Sequence, residues 1–191
     1  ADPAAIEAAA ALLAAARRPL LIVGAGACYG AAGATLRTLV DACDLPIAGN
    51  GLGRGLVAED WERSFNWPIM QLVAKEADVV CVIGARLKQR LGYGLPPRFA
   101  ADAKFIQIDV EAEELSRNRR IDVPIAADAG LACAQLLAAL PRRPLERSFW
   151  IRDALRERFA YLDALANTPL ANDAIHPLAL GRRIAQCAVN R

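Results

Sequence analysis

The sequence predicts an α/β fold: a doubly wound, Rossmann-like parallel sheet of about six strands with helices on both faces. Three observations carry this expectation. Short apolar runs of strand length close in glycine at residues 20–23 (LLIV, then Gly24) and 79–83 (VVCVI, then Gly84), and residues 104–108 (KFIQI) read as another strand, stopping at Asp109. Continuous apolar runs of this kind mark strands buried on both faces. Segments of helical pattern alternate with them, and the single Asn-Gly pair, Asn50-Gly51, has no recognisable partner strand, so no hairpin is expected. Strand and helix in alternation require right-handed crossovers and cover on both sides of the sheet.

Taken in order, Asp2-Pro3 opens a helix with a capping carboxylate and a proline in the first turn. That helix ends near Arg17-Arg18-Pro19, and the first strand, 20–23, follows. A helix over 31–43 leads to a second strand, 45–48, and then to a glycine-rich loop, 49–59. Residues 61–67 are ambiguous. A helix over 68–76 presents Ile69, Leu72 and Val73 on one face and feeds the strand 79–83. The strand 104–108 is followed by a short helix, 111–116, a strand, 122–126, and a helix, 129–140, begun by Asp128. Beyond residue 140 the character changes. Linkers at 141–144 and 168–177 separate an amphipathic helix, 148–166, from a last helix, 178–189, whose apolar face (Leu180, Ile184, Cys187) lacks an obvious partner.

Composition narrows the classes. A length of 191 residues suits one α/β domain with some extra helix. The 23 Lys and Arg nearly balance the 21 Asp and Glu, a net charge of +2, which gives no reason to expect nucleic acid or an anionic membrane as a partner. Basic clusters at 117–120 and 142–147 read as solvated surface. The five cysteines have no CxxC spacing and the single histidine, His176, is distant from them, so no metal site is expected. Cysteines within apolar runs behave as small buried hydrophobes. The alanine-rich start, 4–16, is too short to span a bilayer, and a cytoplasmic location is the default. No catalytic residue stands out: there is no GxSxG elbow, Walker lysine or paired-histidine site.

Ligands of an open parallel sheet sit beyond the carboxyl ends of its strands. Four such ends carry suggestive residues. Gly24, Ala25, Gly26 and Ala27 follow the first strand, where small residues let backbone N–H groups approach a phosphate. The loop 49–55 is the second. Gly84, Ala85 and Arg86 form the third, with Arg86 offering a fork to phosphate. Asp109, with Val110 beside it, ends the fourth and suits ribose hydroxyls. Each also has a plain structural role open to it: a GxG can be a tight turn, Asp109 and Asp128 can be helix caps, and Arg86 can pair with a surface carboxylate. The ordinary NAD fingerprint is not met, because its third glycine falls at Tyr29 and no acid ends the second strand.

Residues 19–30 (PLLIVGAGACYG), 77–87 (ADVVCVIGARL), 105–115 (FIQIDVEAEEL) and 125–129 (IAADA) resemble the central domain of thiamine-diphosphate (ThDP) enzymes. Within that family, 92–98 (GYGLPPR) and 118–124 (NRRIDVP) are most similar to 2-hydroxyacyl-CoA lyase and oxalyl-CoA decarboxylase, with acetolactate synthases next. The resemblance implies residues 1–17 as a leading helix, 18–140 as the central domain, and 141–191 as a linker with the start of a truncated C-terminal domain. It further implies a parent enzyme, expected to be homo-oligomeric, that cleaves or joins carbon–carbon bonds of 2-oxo or 2-hydroxy acids. ThDP and Mg²⁺ would be held by flanking domains, leaving this segment inactive alone. Central domains of the family take ADP or a CoA nucleotide, or FAD, and some take nothing obvious. Carried over, Gly24, Ala25, Gly26, Gly84, Ala85 and Arg86 fall on the phosphate side. Asp109 falls at the ribose, and Asp128 and Ala129 near the adenine. Lys88, where flavin binders tend to be acidic, and residues 64–67 (SFNW), in place of a Met-His-Gly turn, favour an adenine nucleotide over FAD.

Overall fold

A computed structural model describes residues 1–58, 61–141, 148–168 and 175–189. The basic cluster at 142–147 and most of the linkers predicted at 141–144 and 168–177 fall outside them. Asp2 caps α1 (Pro3–Ala15), its Oδ1 accepting from Ala4 N–H at 3.0 Å. Then follow β1 (Pro19–Val23), α2 (Ala25–Tyr29), α3 (Gly33–Cys43), β2 (Ile47–Gly49), α4 (Met70–Ala74), β3 (Val79–Ile83), β4 (Lys104–Asp109), β5 (Val123–Ala126), α5 (Ala129–Ala139), α6 (Ser148–Ala166) and α7 (Pro177–Val189).

The sheet has five strands, all parallel, in the order β2-β1-β3-β4-β5. The sixth is reduced to one residue. Ser64 bridges Ile47 in parallel, fixed by Ile47 N–H to Arg63 O and Phe65 N–H to Ile47 O, both at 2.8 Å. That bridge extends the sheet at its β2 edge, where 61–67 was unreadable, because a single pair cannot impose a strand period.

Alternation divides the core as pleat geometry requires. Leu21, Val23, Cys81, Ile83, Ile106 and Ile108 point to one face and pack with α1, α3 and α5. Leu20, Ile22, Val80, Val82 and Phe105 point to the other, with α4 and the first turns of α6. Trp150 of α6 is wholly buried there; its indole N–H donates to Pro19 O at 2.9 Å, and Arg18 lies 5.5 Å over the ring. So the helix beyond residue 140 helps to cover the second face. Leu180, Ile184 and Cys187 of α7 are exposed.

Other expectations need correction. The segment expected as a phosphate loop is the single helical turn of α2, and α3 therefore starts two residues late. The helix expected over 68–76 is only the five residues of α4. The one expected at 111–116 is a 3₁₀ turn, Ala112–Glu114. The reading of several cysteines as small buried hydrophobes holds for Cys43, Cys81 and Cys133, while Cys28 and Cys187 are exposed. Burial pushes the Cys81 thiol far above its usual range and Cys133 up to about 12. In the basic cluster at 117–120, Arg119 is structural rather than simply solvated. It donates to Gly94 O and Ala103 O and lies 4.0 Å over the Phe105 ring. Its partial burial lowers its pKa, against the pull of Asp122.

Candidate functional site

The connections leaving β1 and β3 diverge to opposite sides of the sheet, and such a switch point leaves a crevice beyond the strand ends. A hollow of about 560 Å³ lies there, within the size range of small-ligand sites. Gly24–Gly26 and Gly84–Ala85 line its centre. Residues 50–52 close the β2 side, 109–111 the β4 side, and Arg86, Lys88 and Arg90 supply cations.

Of the residues singled out from the sequence, Gly24, Ala25, Gly26, Gly84, Ala85, Arg86, Asp109 and Val110 come together in this crevice. Ala27, Asp128 and Ala129 do not line it. Ala27 is buried in the core under the turn. Asp128 caps α5, accepting from Leu131 N–H at 3.0 Å, and Ala129 is buried behind it. The cause is topological: β5 lies two strands from β3, so its end meets α2 rather than the switch point. A Cβ on Gly30, at the end of α2, would stand 2.9 Å from Asp128 Oδ2.

The glycines are held by each other. Gly24 N–H donates to Ile83 O and Gly26 N–H to Gly84 O, both at 2.9 Å, and Ala27 N–H reaches Gly24 O at 3.2 Å. A Cβ on Gly26 would stand 2.7 Å from Gly84 Cα, and one on Gly84 (φ +59°) 2.5 Å from Ala27 N. Three backbone donors expected to face a phosphate, those of Gly24, Gly26 and Ala27, are therefore spent inside the protein. The small residues serve first to let the β1 and β3 turns interlock.

The side chains are partly committed as well. Half-exposed Arg86 has its Nε 3.6 Å from Glu114 Oε1, and the same oxygen accepts from Arg117 Nη1 at 2.9 Å. Glu114 is buried and so anchors both guanidiniums beside the crevice. Asp109 Oδ1 accepts from Glu111 N–H at 3.0 Å, which fixes the carboxylate at the end of β4. Three cations against Asp109 and Glu111 leave the crevice suited to an anionic ligand with hydroxyl groups. Sequence reasoning named the loop 49–55 only as a whole and did not bring Arg90 to this crevice. The available signal was a run of bases within seven residues of the end of β3.

This is an open doubly wound sheet with its crevice at the switch point, a class that serves many functions. Residues 6–136 match the family described as "Thiamine pyrophosphate enzyme, central domain", and the chain belongs to that family. It is 38% identical to 2-hydroxyacyl-CoA lyase 1 of Mus musculus over 169 residues, 87% of this chain and 29% of that protein. It is 34% identical to oxalyl-CoA decarboxylase of Escherichia coli (strain K12) over 153 residues, 80% of this chain and 27% of the other. Against acetolactate synthase of Mycobacterium leprae it is 30% identical over 169 residues, 85% and 26% of the two chains. The chain thus spans less than a third of the length of these relatives.

Proposed function

We propose that this chain is the nucleotide-binding central domain of a ThDP-dependent lyase or decarboxylase that acts on 2-hydroxy or 2-oxo acids carried as CoA thioesters. Its preferred ligand is an adenine nucleotide, ADP or the nucleotide end of CoA, with FAD second. The observation that carries the reading is the convergence of four loops from neighbouring strand ends, with Arg86, Lys88, Arg90 and Asp109, on one crevice at the switch point. Arg86, Lys88 and Arg90 would face the phosphates and Asp109 the ribose. Such a ligand would bring binding energy and, as CoA, a thioester handle for the substrate. In this reading the thiamine cofactor, its Mg²⁺ and the carbon–carbon chemistry belong to flanking domains. Among the described residues no helix is long and apolar enough to cross a membrane.

A second reading, a structural spacer that helps a larger enzyme assemble, is favoured by one specific observation. The interlocked Gly24, Gly26 and Gly84 have a full structural reason of their own. Titration calorimetry with ADP, CoA and FAD separates the two. The binding reading expects heat with ADP and CoA, weakened by Arg86→Ala and by added salt. Silence with all three ligands sinks it in favour of the spacer.

A further inference from the structure

Glu114 does not line the crevice, yet a chain of contacts leads from the sheet through it to Arg86. The chain begins at Gln107 of β4, a buried amide. Its Nε2 donates to Glu114 O at 3.1 Å and its Oε1 accepts from Ser116 N–H at 3.3 Å, which pins the turn that carries Glu114. The same connection is tied to the loop after β3 a second time, where Asn118 Nδ2 donates to Leu87 O at 2.9 Å, one residue from Arg86. The Glu114 carboxylate is buried as well. Its Oε1 accepts from Arg117 Nη1 at 2.9 Å and stands 3.6 Å from Arg86 Nε.

A separation of 3.6 Å makes an ion pair and not a hydrogen bond. Among the described residues the Arg86 guanidinium donates to no protein acceptor, so the carboxylate restrains it without consuming its donors. An arginine restrained in advance loses less rotamer freedom when a ligand arrives. We infer that Glu114 is a positioning residue: set in place by Gln107, it holds Arg86 ready for the phosphates of the crevice ligand. This rests on the nucleotide reading above and goes beyond it, to a residue outside the crevice. The negative charge of Glu114 opposes an anion, but Arg117 answers it. Glu114 is the side-chain partner of Arg117 among the described residues, and Arg117 is 58% exposed. Removing the carboxylate therefore releases a cation to solvent too, and the net charge beside the crevice changes little. Loss of restraint outweighs loss of repulsion.

The test is calorimetry on this chain with ADP and with adenosine, which lacks the phosphates. Glu114→Met fills the buried site but offers Arg86 no anion. It is expected to weaken ADP about fivefold, inside the roughly two- to tenfold that immobilising one long side chain costs, and to leave adenosine within about twofold. Glu114→Gln keeps an acceptor oxygen at the same reach and recovers part of the loss. As the closer isostere it carries the same comparison if circular dichroism shows the methionine variant unfolded. In an Arg86→Ala background Glu114→Met costs ADP nothing more, a coupling that a purely structural carboxylate does not give. Unchanged or tighter ADP binding in the Glu114 variants overturns the positioning role. So does an equal loss for adenosine, or a loss that adds to that of Arg86→Ala; nucleotide binding stands in each of these cases. Absence of heat with ADP in the unmodified chain overturns the nucleotide reading and this inference with it.

Discussion

Gly84→Ala tests the interlock of the β1 and β3 turns most directly. Gly84 sits at φ +59°, a left-handed conformation that costs an L-residue about 1–2 kcal/mol. The new methyl would also stand 2.5 Å from Ala27 N and 2.6 Å from Gly26 C, both backbone atoms that cannot swing aside. Forcing such an overlap costs about 1–3 kcal/mol, so the variant should lose roughly 2–5 kcal/mol in all. For a chain of this size that lowers Tm by about 4–20 °C. The control is Gly51→Ala. Its φ of +57° is nearly the same, yet nothing lies within 4 Å of an added Cβ, so it pays only the backbone part. Urea unfolding of the three proteins, followed by far-ultraviolet circular dichroism, reads both quantities. If Gly84→Ala costs no more than Gly51→Ala, the two turns do not interlock, and the glycines after β1 and β3 need another explanation.

Three further outcomes are expected. Trp150→Ala should cost about 3–5 kcal/mol, because it empties a wholly buried indole site and leaves Pro19 O without its donor; a loss under about 1 kcal/mol in urea would show that α6 is not part of the folded unit. Asp122 is held below the usual carboxylate range. Burial works against its charge, but the Phe105 N–H, Lys104 and Arg119 outweigh it. Its stabilisation is therefore full above pH of about 4 and fades as pH falls through its lowered pKa. Asp122→Asn should cost about 1–2 kcal/mol at pH 7 and clearly less at pH 3, and a deficit independent of pH would contradict this. Lastly, a maleimide reagent on the native chain should label two thiols fast, Cys28 and Cys187, and the buried Cys43, Cys81 and Cys133 only on unfolding, as intact mass would show.

The parts of the fold legible in the sequence were those set by local periodicity and local chemistry. β3 was read at its true bounds because five apolar residues between Asp78 and Gly84 admit no other reading. The Asp2 cap was equally plain, since carboxylate and backbone donor lie two residues apart. The Ser64 bridge was not legible, because its partner Ile47 lies seventeen residues away. Nor was the structural role of Arg119, which depends on Gly94 and Ala103 arriving from another loop. The short turn of α2 was missed because a Gly-Ala-Gly run carries little helix propensity; its position against Gly84 holds it.

The sequence by itself determined the α/β class, the family resemblance, and the residues that end each strand, because each of these is written in neighbouring positions. Tertiary structure decided what those strand ends do. It placed Gly24, Gly26, Gly84, Arg86 and Asp109 in one crevice and sent Asp128 to cap α5. It engaged three of the expected phosphate donors, those of Gly24, Gly26 and Ala27, with the protein's own carbonyls. The physical reason is the strand order. With β3 on the opposite side of β1 from β2, the crevice opens between the β1 and β3 turns, the turns after β2 and β4 close its sides, and no local pattern encodes which strands become neighbours.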